Sequence, residues 1–162
     1  MNANEEMKKL AMHDILVAAG LLVGALASPT LADERRNWFD DPFVQLTHGI
    51  ADCPVPEGPL MTLAESRTEG HVRSERGTRC YLEGRCRLAN SYQYDKGIME
   101  LVQKAVSADP RWKDTSVWAL GQRRWIYLKG CVRSKEQSRE LERWVKGVDD
   151  VERVINELGI RK

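Results

Sequence analysis

Cysteine is the residue type whose number and spacing constrain the chemistry of this chain most tightly. There are four in 162 residues, at Cys53, Cys80, Cys86 and Cys131. An even number in an oxidising compartment reads as disulfides. The rival is a zinc site completed by His48 or His71, but no Cys-x2-Cys or His-x3-His spacing supports it. Cys-x-x-Cys and Cys-x-x-Cys-His are also absent, which removes the usual redox and haem-attachment patterns. Nucleophilic and metal-assisted hydrolysis find no motif: there is no serine elbow, no His-Glu-x-x-His and no Gly-rich phosphate loop. Carboxylates such as Glu65, Glu69 and Asp95 have no pairing spacing. The expectation is therefore a chain with no catalytic residues, no cofactor and no metal. Binding chemistry is better supplied. Arg123-Arg124-Trp125 sets two guanidinium groups beside an indole, a combination suited to anionic phosphates at headgroup depth. A second arginine group (Arg67, Arg73, Arg76, Arg79, Arg85, Arg87) is interleaved with Glu69, Glu75 and Glu83. The plainer reading of both is a solvated surface.

The N-terminus points to an oxidising compartment. Lys8 and Lys9 precede an unbroken apolar run from Ile15 to Ala27, and Thr30-Leu31-Ala32 offers small residues before Asp33. These are the three parts of a secretory signal peptide, residues 1–32, with cleavage after Ala32. The run is shorter than the roughly 20 residues that span a bilayer, so no transmembrane helix is expected after cleavage. Met7 opens such a peptide better than Met1. The expected location is the bacterial periplasm. Without residues 1–32 the charge stays near neutral, which argues against a nucleic-acid partner.

Composition divides the rest near Tyr92. Residues 33–93 form a Pro-, Gly- and Arg-rich extension, and residues 94–162 a regularly patterned domain. Asp40-Asp41-Pro42-Phe43 resembles a helix start, and Phe43, Leu46 and Ile50 continue at helical spacing to about Ala51. From His71 to Ala89, Arg76-Gly77 and Glu83-Gly84 punctuate what reads as short strands. A three-residue hairpin loop at Leu82-Glu83-Gly84 puts Gly84 in the left-handed position and sets Cys80 opposite Cys86, within disulfide range. That favours Cys80–Cys86 and leaves Cys53 for Cys131.

Beyond Tyr92, Asp95 caps a helix with Ile98, Leu101, Val102 and Ala105 on one stripe, ending before Pro110. Ser116–Gly121 and Trp125–Val132 alternate as a hairpin around Gln122-Arg123-Arg124. Ser134-Lys-Glu-Gln137 is a capping box opening a helix with Leu141, Trp144, Val145 and Val148 buried. From Val151 to Ile160, helical and strand periodicities both fit.

Leu128-Lys-Gly130-Cys-Val132, Ser134-Lys-Glu-Gln137 and Val151-x-x-Val154-x-Asn156-x-Leu158-x-Ile160, in that order, resemble the BON domain of secreted and envelope-associated bacterial proteins. Two positions depart from the family pattern: Arg123-Arg124 stand where Asn-Gly or Asp-Gly is usual, and Asp150 replaces a glycine before the last strand. The resemblance implies an α+β fold in the order α-β-β-α-β, with a strand as the last element. It implies a three-stranded mixed sheet with two helices on one face, and a disulfide-linked N-terminal extension beside it. It also implies phospholipid association or envelope maintenance without catalysis. In such a fold Val117, Ala119, Ile126, Leu128 and Val132 face the helices. Trp118, Leu120, Trp125, Tyr127 and Cys131 point to the uncovered face, where alternation should have placed polar residues. Something dry should cover it: the extension, a protein partner or a lipid surface. Two functions follow. One is association with anionic phospholipid, such as the inner face of the outer membrane, through Arg123, Arg124 and Trp125. The other is a protein-binding adaptor or chaperone-like subunit of an envelope assembly, using Trp118 and Tyr127.

Overall fold

The computed structural model describes residues 34–161; the signal peptide expected over 1–32 lies outside them. Its centre is an antiparallel hairpin of β2 (Ser116–Gln122) and β3 (Trp125–Val132), in register from Ser116↔Cys131 to Gln122↔Trp125. Only Arg123 and Arg124 remain for the turn, and both have positive φ, 50° and 68°. Two left-handed residues make the hairpin turn that matches strand twist. Arginine does not favour that conformation, so the neighbourhood must hold it there. Gln122 is the last residue of β2 rather than part of the turn.

Two helices cover one face. α2 (Asp95–Ala108) presents Ile98, Val102 and Val106, and α3 (Lys135–Lys146) presents Leu141 and Val145. Between them and the sheet lie Val117, Ala119, Ile126, Leu128 and Val132, all fully buried. Leu101, expected in the buried stripe, is exposed; Met99 and Val106 take the inward positions. Ser134 caps α3 by accepting from the Gln137 N–H, but the Gln137 side chain accepts from Arg133 rather than from Ser134, so the box is half made. After α3 the chain returns as β4 (Arg153–Ile160), parallel to β3. A parallel return needs such a crossover, so the last element is a strand.

Residues 40–89 differ from the sequence reading. The stretch expected as a helix to about Ala51 contains β1 (Phe43–Gln45), antiparallel to β2, which makes the sheet four-stranded in the order β1-β2-β3-β4. Leu46 joins the core on the helix side, whereas Phe43 and Ile50 pack on the other. One helix stripe cannot serve both faces of a sheet. The extended backbone also satisfies the β2 edge, continuing beyond the strand with Leu46 N–H donating to Val117 O and Gly49 N–H to Thr115 O.

The short strands and hairpin expected over 71–89 are instead a helix, α1 (Leu63–Leu82), with a full capping box of Thr62 and Glu65. Gly77 does not mark a strand boundary. A Cβ there would meet the Asn90 side chain at 2.3 Å, so glycine permits close packing. Gly84 has φ 70°, but it follows the end of a helix rather than closing a hairpin. Cys80 is bonded to Cys86 across that helix end, and the Arg85 and Cys86 N–H groups donate to Cys80 O. Cys53 is bonded to Cys131, 78 positions away.

Candidate binding surface

The hairpin turn is fixed from below. Asp95, expected to cap α2, sends its carboxylate to the turn, where the Arg123 and Arg124 N–H groups each donate at 2.6 Å. These bonds compensate the left-handed backbone that two arginines would otherwise resist. Asp95 is 2% exposed. Burial pushes its carboxyl up to about 7, although the two amide donors favour the charged form.

The two arginines then diverge. Arg123 lies over the Trp125 ring at 3.7 Å, and Arg153 approaches the same ring at 4.5 Å. Arg124 turns into the protein: its Nε donates to Asp150 O at 2.8 Å, Nη1 lies 2.9 Å from Cys86 Sγ, and it sits 5.1 Å from the Tyr94 ring. Adjacent left-handed residues separate the side chains, one outward and one anchoring the turn to the disulfide loop. Asp150, the second departure from the family pattern, has φ 64° and binds Arg87 through both oxygens.

The aromatic face is largely covered by the chain's own N-terminal segment. Trp118 is 7% exposed and packs with Phe43, Ile50, Cys53 and Cys131. Leu120 is equally buried. Trp125 and Tyr127, nearer the turn, are half-buried.

α1 distributes the second arginine group. Arg73 is buried, paired through Nη1 and Nη2 with Asp41, and lies 4.0 Å from the Phe39 ring and 4.4 Å from the Tyr92 ring. Burial opposes its charge most strongly, but the Asp41 hydrogen bonds together with the charges of Asp41 and Glu69 raise its pKa. Gln122 donates to the same Asp41 carboxylate, so this network joins the segment before β1, α1 and the hairpin. Arg79 and Arg85 share Glu83. Arg76, Arg79, Arg85, Arg123 and Trp125 border one cleft between α1 and the hairpin tip. Residue types alone did not place the α1 arginines beside Arg123. The clue was the three-residue spacing of Arg73, Arg76 and Arg79, which shares a face only on a helix, and the Thr62-x-x-Glu65 box that announces one.

His48 and His71 are exposed, and among the described residues no group of three His, Cys, Asp or Glu side chains is placed to hold a metal ion. No described helix is long and apolar enough to cross a membrane. No curated protein matches the chain. The segment that forms α2, the β2–β3 hairpin, α3 and β4 does have a family match: residues 94–162 match the BON domain.

Proposed function

We propose that this is a non-enzymatic, exported envelope protein whose BON domain associates with anionic phospholipid through the tip of the β2–β3 hairpin. BON domains are linked in general to phospholipid and envelope association. The observation that carries the reading is the Arg123–Trp125 pair at 3.7 Å on a turn held by Asp95. A guanidinium stacked on an indole couples phosphate recognition to a ring suited to the bilayer interface. Arg153 beside the same ring adds a second cation. Exposed basic residues near an anionic surface contribute about 1 kcal/mol each, screened by salt. Arg124 supports the turn rather than the ligand.

The protein-adaptor alternative loses much of its surface, because Phe43, Ile50 and Cys53 occupy the Trp118 end of the aromatic face. What remains for it is the half-buried Trp125–Tyr127 edge. Co-sedimentation with phosphatidylglycerol against phosphatidylcholine vesicles separates the two. The lipid reading expects selective pelleting that weakens as salt rises and is lost in Arg123→Glu. Arg123 is the residue to change, since Arg124→Glu would also cut the links to Asp150 and Cys86. Absence of pelleting at low salt would end the lipid reading and favour the adaptor.

A further inference from the structure

We infer a second, more specific binding site: a phosphate-sized cleft between α1 and the hairpin tip, lined by Arg76, Arg79, Arg85 and Arg123, with Trp125 and Cys80 as walls. The site shares Arg123 and Trp125 with the lipid surface, yet it stands or falls separately. Its ligand is a phosphate monoester or free phosphate, recognised by convergent guanidinium groups.

The charge balance in the cleft favours an anion. Four guanidiniums approach one space from three segments: the helix, the loop after it and the turn. Glu83 engages Arg79 and Arg85, and Glu152 lies on the rim. Arg76 and Arg123 make no salt bridge among the described residues. Two positive charges therefore remain after both carboxylates are counted, which suits a dianion. The hydrogen bond from Arg85 to Glu83 raises the Arg85 pKa, with the Glu83 charge and, least, the Glu152 charge adding to it.

Size points the same way. The cleft is small, with a volume of about 70 Å³, and open to solvent on one side. A tetrahedral anion fits among the guanidinium groups. The walls are also held in place before any ligand arrives. The Cys80–Cys86 disulfide closes the loop that carries Arg85, Arg124 ties the turn to Cys86 and Asp150, and Asp95 holds both turn amides. With the backbone of the loop and the turn held in this way, binding has only the arginine side chains left to order.

Titration of the intact chain with inorganic phosphate and with glycerol 3-phosphate, followed through the arginine Nε–H resonances, tests the site. Binding that moves Arg76 and Arg123 together is expected. Arg76→Gln should weaken it roughly ten- to hundredfold with unfolding temperature unchanged, because Arg76 is exposed. Arg123→Gln should do the same. Phosphate affinity equal in wild type and both variants, or no binding at all, overturns the cleft. Vesicles distinguish the source of the phosphate. Phosphatidic acid that binds more tightly than phosphatidylglycerol, with the preference lost in Arg76→Gln, supports a terminal lipid phosphate. Soluble phosphate that binds without any vesicle association supports a soluble ligand and removes only the lipid reading. Phosphatidylglycerol binding insensitive to Arg76→Gln, with no phosphate binding, overturns the cleft and leaves the lipid reading standing.

Discussion

Asp95 shows how one side chain can decide the shape of a turn two elements away. Its carboxylate takes both amides of the Arg123–Arg124 turn and titrates near 7 instead of its ordinary 3.8 because it is buried. Between those values the folded chain holds a proton that the unfolded chain has released. Stability from this group therefore falls as pH rises from about 4 to about 7, and is level above that. Asn at this position cannot titrate and offers one acceptor to two amides. Asp95→Asn is expected to lose roughly 1–3 kcal/mol at pH 5. The gap to wild type should narrow toward pH 7.5, as read from urea unfolding at both pH values. A gap that stays the same between the two pH values would mean that Asp95 is charged throughout. Arg73 belongs to the same scale. Removing it as Arg73→Ala leaves the Asp41 carboxylate buried without its cation, at a cost of about 3–5 kcal/mol. Calorimetry on that variant, beside Arg76→Ala with little expected change, separates a buried arginine from an exposed one on the same helix.

Within the elements, the β2–β3 pair sets the tolerances. Gly130 has φ 111°, and a Cβ there would meet Ser116 O at 2.2 Å, main chain that cannot move aside. The glycine in the Leu-x-Gly-x-Val strand end thus has a physical reason, a left-handed residue pressed against the neighbouring strand. Gly130→Ala should cost about 2–4 kcal/mol, measurable as a lowered denaturation midpoint. A neutral result would mean that β2 and β3 are not so closely paired there. Helix α1 was hidden in the sequence for a related reason. Gly70 and Gly77 break its apolar pattern, and its buried positions include Ser66, Arg73 and Gly77. A helix that buries an ion pair and a glycine shows little hydrophobic periodicity, so local punctuation dominated the reading. The edge strand β1 was missed for the opposite reason: Phe43, Leu46 and Ile50 happen to repeat at helical spacing while serving different faces of the sheet.

At the scale of the molecule, the N-terminal segment and the BON domain share one sheet, and the Cys53–Cys131 bond joins them over 78 positions. Closing a loop of that length stabilises by up to about 4.5 kcal/mol through the unfolded chain. The double variant Cys53→Ala with Cys131→Ala is expected to unfold at a lower temperature. If the segment also loosens, tryptophan emission should shift to the red as Trp118 meets water. A lowered temperature with unchanged emission would mean that β1 pairing alone keeps the face covered. The sequence by itself determined the patterned half: the α-β-β-α-β order, the buried faces of β2 and β3, and the match of residues 94–162 to the BON domain. The two helices and the hairpin are written in short-range periodicity; the last strand is not, since both periodicities fit Val151–Ile160, and it follows from the family resemblance. Only the tertiary structure decided how residues 34–93 fold. Whether an apolar triplet becomes a helix or an edge strand depends on an unsatisfied strand edge some seventy residues away. The same holds for the arginines. Arg76 and Arg123 lie in one cleft only because α1 packs beside the hairpin tip. Long-range backbone pairing and close packing settle such outcomes, and no local pattern encodes them.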